Sequence, residues 1–175
     1  AGRRDYESIL AEGVQQANDE VLSAADDDDS RSMGTTVVAA IIDQGITVVN
    51  IGDSRAYSVG ESIEQITVDH SFVQTLIDEG EITPEEAKTH PQRHVLSQAL
   101  GTRESVDPDF FSPTVDEYLL LCSDGLTEEV SESTITNLIN GAKSIETATE
   151  SLIQRANENG GRDNISVILT DNTGE

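Results

Sequence analysis

The sequence predicts an α+β fold in which an antiparallel β-sandwich is flanked by helices. Its first half contains several runs rich in β-branched residues, joined by short turns, and this succession indicates a meander rather than βαβ crossovers. Helical patterns precede these runs and dominate the second half. Grouped strands and grouped helices are typical of the α+β class. A chain of 175 residues is long enough to bury a core, so we expect one domain over residues 1–175.

The first predicted element is an amphipathic helix over residues 4–25. Its apolar positions are spaced by three or four residues, as on one face of a helix: Tyr6, Leu10, Val14, Ala17 and Val21. No capping residue is apparent in front of this helix, which favours the interpretation that a preceding part of the domain is missing. The four acidic residues at 26–29 are expected to form an exposed loop because like charges repel one another.

Strands are predicted over residues 34–42, 46–51, 56–59 and 62–67, with a hairpin turn at 43–45. Asp53 and Arg55 lie between the second and third of these strands. Such residues often form turns held by side-chain hydrogen bonds, and this interpretation is favoured over a catalytic role.

Two short helices are predicted in the middle of the chain. The first buries Phe72, Val73, Leu76 and Ile77, and the second begins with Thr83 as N-cap, proline at the first position and glutamate at the third. A strand is expected over 95–100 and an extended segment over 106–113. His70, His90 and His94 lack the spacing of a zinc motif, so a zinc site is disfavoured.

The apolar run from Leu119 to Cys122 predicts a central strand buried on both faces. Asp124 follows where the run stops, after Ser123, and Gly125 allows a sharp turn beneath it. Taken alone, these residues fit a helix-capping turn as well as a functional site. Helices over 128–141 and 145–156 follow.

A second acidic residue stands at the entrance of the last predicted strand, over residues 165–171. Asp163 and Asn164 come directly before this apolar run. Two strands that each carry an acid at one end can bring both carboxylates to one metal cluster.

The composition is strongly acidic, with 34 Asp plus Glu, ten Lys plus Arg and a net charge of −24. This excludes a nucleic-acid binder that depends on phosphate contacts, because Lys and Arg supply them. Only two cations are lysines, Lys88 and Lys143. A protein kept soluble in high salt is favoured over an ordinary acidic domain, since salt screens the self-repulsion.

The single cysteine, Cys122, lies in the predicted central strand and is expected to be a buried apolar side chain rather than a nucleophile. No apolar stretch approaches the ~18 residues of a membrane helix, and no signal peptide opens the chain. We therefore expect a cytoplasmic protein without a membrane or nucleic-acid partner.

Seven short motifs in order resemble the prokaryotic branch of the metal-dependent protein phosphatases of type 2C, over about residues 30–171. They are Gly34-Thr35-Thr36, Asn50-Ile51-Gly52-Asp53-Ser54-Arg55, Thr67-Val68-Asp69-His70-Ser71, Gly80-Glu81-Ile82-Thr83-Pro84-Glu85-Glu86-Ala87, Leu100-Gly101-Thr102, Cys122-Ser123-Asp124-Gly125-Leu126 and Gly161-Arg162-Asp163-Asn164.

The resemblance implies a four-layer αββα sandwich, Mn²⁺ or Mg²⁺ between its sheets, and hydrolysis of phosphoserine and phosphothreonine in protein substrates. Asp124 and Asp163 match ligands of the second core metal, and Asp69 matches a ligand of a third, weaker metal that Asp124 shares. Asn164 matches an amide that orients its neighbour, with Ser123 and Gly125 in supporting positions. Residues 72–98 match a mobile flap beside the site, a candidate for substrate choice.

The family also has an N-terminal Asp-Gly-x-Gly-Gly-His stretch with a bridging carboxylate, and a phosphate-gripping arginine, which this sequence does not contain. We therefore expect that the first strands of the domain, about fifty residues, are missing, and that this chain alone is weakly active or inactive. The alternative is a non-catalytic, phosphatase-like binding or regulatory module. The reading frame upstream of Ala1 distinguishes the two.

Overall fold

The computed structural model describes residues 5–27 and 33–172. Its helices are α1 (Tyr6–Asp27), α2 (Phe72–Asp78), α3 (Pro84–Ala87), α4 (Asp124–Thr127), α5 (Glu132–Gly141) and α6 (Ile145–Asn159). Its strands are β1 (Val37–Ile42), β2 (Ile46–Ile51), β3 (Arg55–Val59), β4 (Ile63–Gln65), β5 (Asp109–Phe111), β6 (Tyr118–Cys122) and β7 (Val167–Asp171).

The strands form two antiparallel sheets. The first has the order β1-β2-β5 and the second the order β4-β3-β6-β7. The predicted hairpin joins β1 to β2, with Ile42 opposite Ile46. In the second sheet, β6 lies between β3 and β7, so Cys122 is opposite both Arg55 and Val167. This central position explains the continuous apolar sequence of β6, which is covered on both faces.

Three apolar clusters stack the elements into four layers. One cluster joins α1 to the first sheet through Val14 and Val49. The second lies between the two sheets and contains Val48, Leu119 and Leu121. The third lies between the second sheet and α4, α5 and α6, with these members: Tyr57, Leu120, Leu126, Ile135, Leu152 and Leu169. The predicted helix-flanked sandwich is confirmed, with the layers in the order helix, sheet, sheet, helices.

Alternating residues of neighbouring strands serve different layers. Val48 faces the other sheet and Val49 faces α1, because successive side chains of a strand point to opposite faces. Cys122 is buried as expected, and burial raises the pKa of its thiol to about 12. A thiol that stays protonated and is shielded from solvent has little nucleophilic character.

The first helix differs from its prediction in two details. It does have an N-cap, because the Asp5 carboxylate accepts hydrogen bonds from the Ser8 backbone N–H at 3.2 Å and from the Ser8 hydroxyl at 2.7 Å. Ala17 is exposed, and Asn18 is buried in its place. Asn18 is held by three loop contacts, including a bond from the Gly101 N–H to its Oδ1 at 2.8 Å.

The acidic run predicted as a loop at 26–29 is only partly described. Its first two residues belong to the last turn of α1, and residues 28 and 29 lie outside the described ranges.

The strand predicted over 95–100 does not form. The segment makes two isolated bridges with different partners, Leu96 with Ser71 and Leu100 with Thr35. Because the two ends pair with separate segments, no continuous ladder develops. The extended segment at 106–113 does contribute a short strand, β5.

The flap segment, residues 72–98, carries α2 and α3. The capping box of α3 is confirmed, since Thr83 and Glu86 exchange side-chain and backbone hydrogen bonds. The apolar residues of α2 are half-buried rather than buried, and Ala87 is the buried residue of α3. The flap helices therefore add little to the three clusters. Among the described residues, no helix is long and apolar enough to cross a membrane.

Candidate metal centre

One open cleft of about 1280 Å³ is lined by three aspartates from different parts of the sandwich. Asp53 lies in the turn between β2 and β3, Asp124 is the first residue of α4 directly after β6, and Asp163 lies in the loop before β7. Each of the three therefore stands at a strand end. The sequence predicted this convergence for Asp124 and Asp163, and both line the cleft.

Close backbone packing joins the loops that carry Asp124 and Asp163. A Cβ atom on Gly125 would lie 2.4 Å from the Asn164 carbonyl oxygen, so this approach requires glycine. The Ser123 hydroxyl donates to the Asn164 carbonyl at 3.0 Å and accepts the Ser166 N–H at 3.0 Å. Ser123, through its hydroxyl, and Gly125, through its close approach to Asn164, thus hold the two loops together.

Asn164 contacts Asp163 through its backbone. Its N–H donates to Asp163 Oδ1 at 2.7 Å. The hydrogen bond between Asn164 and the neighbouring carboxylate is thus made by the main chain, and the orienting role of the side-chain amide stays a prediction.

Asp53 is the carboxylate that the sequence interpretation assigned to a turn. Its pKa is raised to about 6, first by burial and then by the charges of Asp124 and Asp69. A carboxyl group with this perturbation in a cleft is a candidate functional group. Its position after the buried strand β2 matches that of Asp124 after β6, and this is the signal that could have identified it.

Asp69 is engaged differently from the expectation. Arg55 Nε donates to its Oδ1 at 2.9 Å and Arg55 Nη2 donates to its Oδ2 at 2.6 Å. Gln65 Nε2 also donates to Oδ1 at 3.0 Å. Both carboxylate oxygens are thus paired, and Asp69 is not among the residues that line the cleft. Of the two acids, Asp53 lines the cleft and Asp69 does not.

Arg55 has the structural role that its sequence position favoured. Burial would lower the pKa of its guanidinium, but hydrogen bonding to Asp69 raises it overall. Its Nη1 also donates to the Tyr57 hydroxyl at 3.1 Å.

Three arginines line the same cleft: Arg93, Arg103 and Arg162. Arg162 lies 3.4 Å from the buried carboxylate of Glu129. Among the ion pairs of the described residues, none involves Arg93 or Arg103. Arg93 and Arg103 thus line the cleft without an ion pair to a described acid, and a guanidinium group has the chemistry to bind an anion.

The donor chemistry of the cleft fits Mn²⁺ or Mg²⁺, since hard divalent ions take carboxylate oxygens. Within residues 5–27 and 33–172, however, no group of three or more His, Cys, Asp or Glu side chains could hold an ion. Asp53 and Asp124 line the same cleft, and the charge of Asp124 contributes to the raised pKa of Asp53. The described acids thus fit the ion as part of a ligand set.

A two-sheet sandwich with carboxylates gathered at strand ends defines the class of metal-binding sandwich domains, and comparison with known proteins specifies the family. The family model "Protein phosphatase 2C" matches residues 1–76. Protein phosphatase PhpP of Streptococcus pneumoniae is 40% identical over 164 residues, which are 91% of this chain and 67% of that protein.

Two solved structures give the same result. Serine/threonine phosphatase Stp1 from Staphylococcus aureus superposes with a TM-score of 0.91 at 38% identity, covering 99% of this chain and 71% of that one. The catalytic domain of the phosphatase PstP, in complex with two manganese ions, has a TM-score of 0.84 at 33% identity and covers 98% and 73%. The chain therefore belongs to the protein phosphatase 2C family.

Proposed function

We propose that this chain belongs to a cytoplasmic, Mn²⁺- or Mg²⁺-dependent protein phosphatase that hydrolyses phosphoserine and phosphothreonine in protein substrates. The observation that carries the proposal is the convergence of Asp53, Asp124 and Asp163 on one cleft of a type-2C sandwich. Residues 1–175 form a single phosphatase-like domain in this proposal, with the ligand set completed from outside the described residues.

In this proposal Asp124 and Asp163 hold the metal as the catalytic carboxylates, and Asp53 adds a further oxygen ligand. Asp69 contributes through its ion pair with Arg55 rather than as a direct ligand. The bound ion supplies Lewis-acid activation of water and neutralises charge on the phosphoryl oxygens. In the hydrolysis, a water oxygen bonds to phosphorus and the ester P–O bond breaks, which leaves inorganic phosphate and a free hydroxyl side chain.

The protein's own contribution to such a reaction is mainly positioning and charge stabilisation. The strand ends fix the three carboxylates, while Arg93 and Arg103 are the cations that face an incoming phosphorylated segment. Arg93 belongs to the flap segment. Arg103 lies in the loop that Asn18 holds, since Asn18 Nδ2 donates to the Arg103 carbonyl at 2.9 Å. Arginine suits this task because its planar guanidinium donates to phosphate in pairs of hydrogen bonds.

The experiment is phosphate release from a phosphothreonine peptide by the protein with its natural upstream sequence, with and without Mn²⁺. Asp163→Asn is the test variant, and Glu150→Gln, an exposed acid on α6, is the matched control. We expect loss of Mn²⁺-dependent release in the test variant and full release in the control. Equal activity of the two variants would contradict the assigned role of Asp163.

A further inference from the structure

His70 is a buried residue that holds the turn in front of Asp53 by two hydrogen bonds. Its side chain is 9% exposed. Its Nδ1 lies 3.2 Å from the Gly52 backbone nitrogen, and its own backbone N–H donates to the Gly52 carbonyl at 2.9 Å. Both backbone polar groups of Gly52 are therefore bonded to one residue.

The contacts of His70 determine its tautomer. A backbone N–H only donates, so Nδ1 must accept and carries no proton. The proton of the neutral ring is then on Nε2, which lies 3.1 Å from Asp109 Oδ2 and donates to it. Asp109 begins β5 and is opposite Asn50 of β2. The carboxylate of one strand thus orients the imidazole that holds the end of its neighbour.

Gly52 is confined on its other side as well. Its φ is +107°, and a Cβ atom there would lie 2.3 Å from Thr36 Cγ2. The fully buried Asn50 adds a donor to the Gly52 carbonyl at 3.1 Å. On the far side of Asp53, the Ser54 hydroxyl is 2.8 Å from that of Thr36. The two neighbours of Asp53 are therefore fixed, although the acid itself faces the repulsive charge of Asp124.

We propose that His70 is a positioning residue of the metal site: by accepting the Gly52 N–H at Nδ1, it holds the turn that presents Asp53 to the cleft. The inference rests on the proposed function, because it assigns Asp53 to metal binding. Asp109 supports this role, since it keeps the proton of the His70 ring on Nε2 and leaves Nδ1 free to accept. Partners that orient a metal ligand without touching the ion typically change metal affinity by about 10–100-fold when they are replaced.

Two substitutions of His70 separate the two ring nitrogens. The side-chain oxygen of asparagine in His70→Asn lies near the place of Nδ1, so it still accepts the Gly52 N–H. His70→Gln places its amide near Nε2 and leaves the Gly52 N–H without its acceptor. We expect hydrogen exchange of the Gly52 amide to be about tenfold faster in His70→Gln than in His70→Asn. Equal exchange in the two variants overturns the proposed hydrogen bond, whatever the metal does.

Mn²⁺ binding tests the consequence for the site. We expect affinity for free Mn²⁺, measured by water-proton relaxation on the 175-residue chain, to fall about tenfold in His70→Gln and to recover in His70→Asn. If wild-type protein and Asp124→Asn bind Mn²⁺ equally, the proposed metal site fails, and the exchange result still decides the hydrogen bond. If Asp124→Asn binds more weakly but His70→Gln does not, the positioning role is overturned.

Asp109→Ala provides a second variant outside the core, because the Asp109 side chain is 51% exposed. Without this carboxylate the proton is free to move to Nδ1, so Gly52 exchange should rise and Mn²⁺ affinity should fall in the same direction. Asp107→Ala, an exposed acid two residues away, is the matched control and should leave both unchanged. Identical behaviour of the two alanine variants contradicts the role of Asp109.

Discussion

Arg55 and Asp69 form a two-point ion pair, with Nε 2.9 Å from Oδ1 and Nη2 2.6 Å from Oδ2. Their side chains are 29% and 14% exposed, respectively. The pair links Arg55, at the beginning of β3, to Asp69 in the segment that follows β4. Because the pair engages both carboxylate oxygens of Asp69, we expect that Asp69 is not a direct ligand of a metal ion.

Asp69→Asn should therefore act mainly on stability. Removing the charge leaves a mostly buried guanidinium with a weaker partner, which we expect to cost about 1–3 kcal/mol in the free energy of unfolding. Mn²⁺ affinity should change much less than in Asp53→Asn. Urea unfolding and Mn²⁺ titration check the two expectations, with Glu85→Gln in the exposed Lys88 pair as control. A stable Asp69→Asn variant that has lost Mn²⁺ binding would restore Asp69 as a ligand.

Asp53→Asn should stabilise the metal-free protein. The Asp53 pKa is raised from 3.8 to about 6. Protonated Asp53 therefore stabilises the folded state below pH 3.8, and this stabilisation is lost as the pH rises through about 6. At neutral pH, Asn removes a desolvated and repelled charge, which we expect to add about 1–2 kcal/mol to the free energy of unfolding after discounting for solvent screening.

Unfolding at pH 4 and pH 8 without metal checks this prediction, because the gain should be present at pH 8 and nearly absent at pH 4. In saturating Mn²⁺ the wild-type protein should be more stable than Asp53→Asn, since binding of the ion to the aspartate stabilises the folded state. A wild-type protein that is more stable than Asp53→Asn at pH 8 without metal would show that Asp53 is not repelled.

Whether Asp53 or Asp69 lines the cleft could not be predicted from the sequence. The sandwich follows from local signals, since β-branched runs with short turns define β1 to β4, and a fully apolar run defines β6. Asp124 and Asp163 could be predicted because each stands beside such a run. Asp53 and Asp69 both follow apolar segments. Which of them forms the ion pair with Arg55 depends on the direction of the Arg55 side chain in the folded protein. The strand predicted over 95–100 was wrong for a similar reason. Its pairing partners are distant in sequence, so the local pattern did not reveal that its two ends pair with different segments.

Gly125→Ala should separate the two loops that carry Asp124 and Asp163. The added Cβ would lie 2.4 Å from the Asn164 carbonyl oxygen, and neither loop can yield without loss of its hydrogen bonds through Ser123. We expect a loss of about 2–4 kcal/mol in the free energy of unfolding, together with weaker Mn²⁺ binding.

Gly13→Ala is the matched control for this change. Gly13 lies within α1 with nothing within 4 Å of a new Cβ, so alanine should stabilise the protein by about 0.5–1 kcal/mol. Thermal melts and urea titrations of both variants provide the measurement. Similar stabilities for the two variants would mean that the contact between Gly125 and Asn164 is not tight.

Salt should stabilise the fold. The net charge of −24 disfavours a compact chain through self-repulsion, and the Debye length falls from ~10 Å at 0.1 M to ~3 Å at 1 M salt. We expect the Tm to rise with KCl between these concentrations, as proposed for a protein adapted to high salt. A Tm that does not rise with KCl would favour an ordinary acidic domain.

The 175-residue chain itself should turn over phosphate esters very slowly. The described residues do not include three metal-ligating side chains close enough to hold an ion, and each lost oxygen ligand lowers affinity for a hard cation. We therefore expect weak Mn²⁺ binding and almost no hydrolysis of p-nitrophenyl phosphate by this chain. A version extended with its natural upstream sequence should be active, and Asp124→Asn in that version should abolish turnover because phosphoryl transfer requires the substrate and water to be fixed by the bound metal.

The outcomes separate the two function classes. Robust Mn²⁺-dependent hydrolysis by the short chain would mean that Asp53, Asp124 and Asp163 need fewer additional ligands than proposed. An inactive extended protein with intact carboxylates would instead favour a non-catalytic, phosphatase-like module. Mn²⁺ binding measured on the same samples distinguishes a site that binds the ion without turning over from one that does not form, because only the former loses affinity when Asp124 is replaced by asparagine.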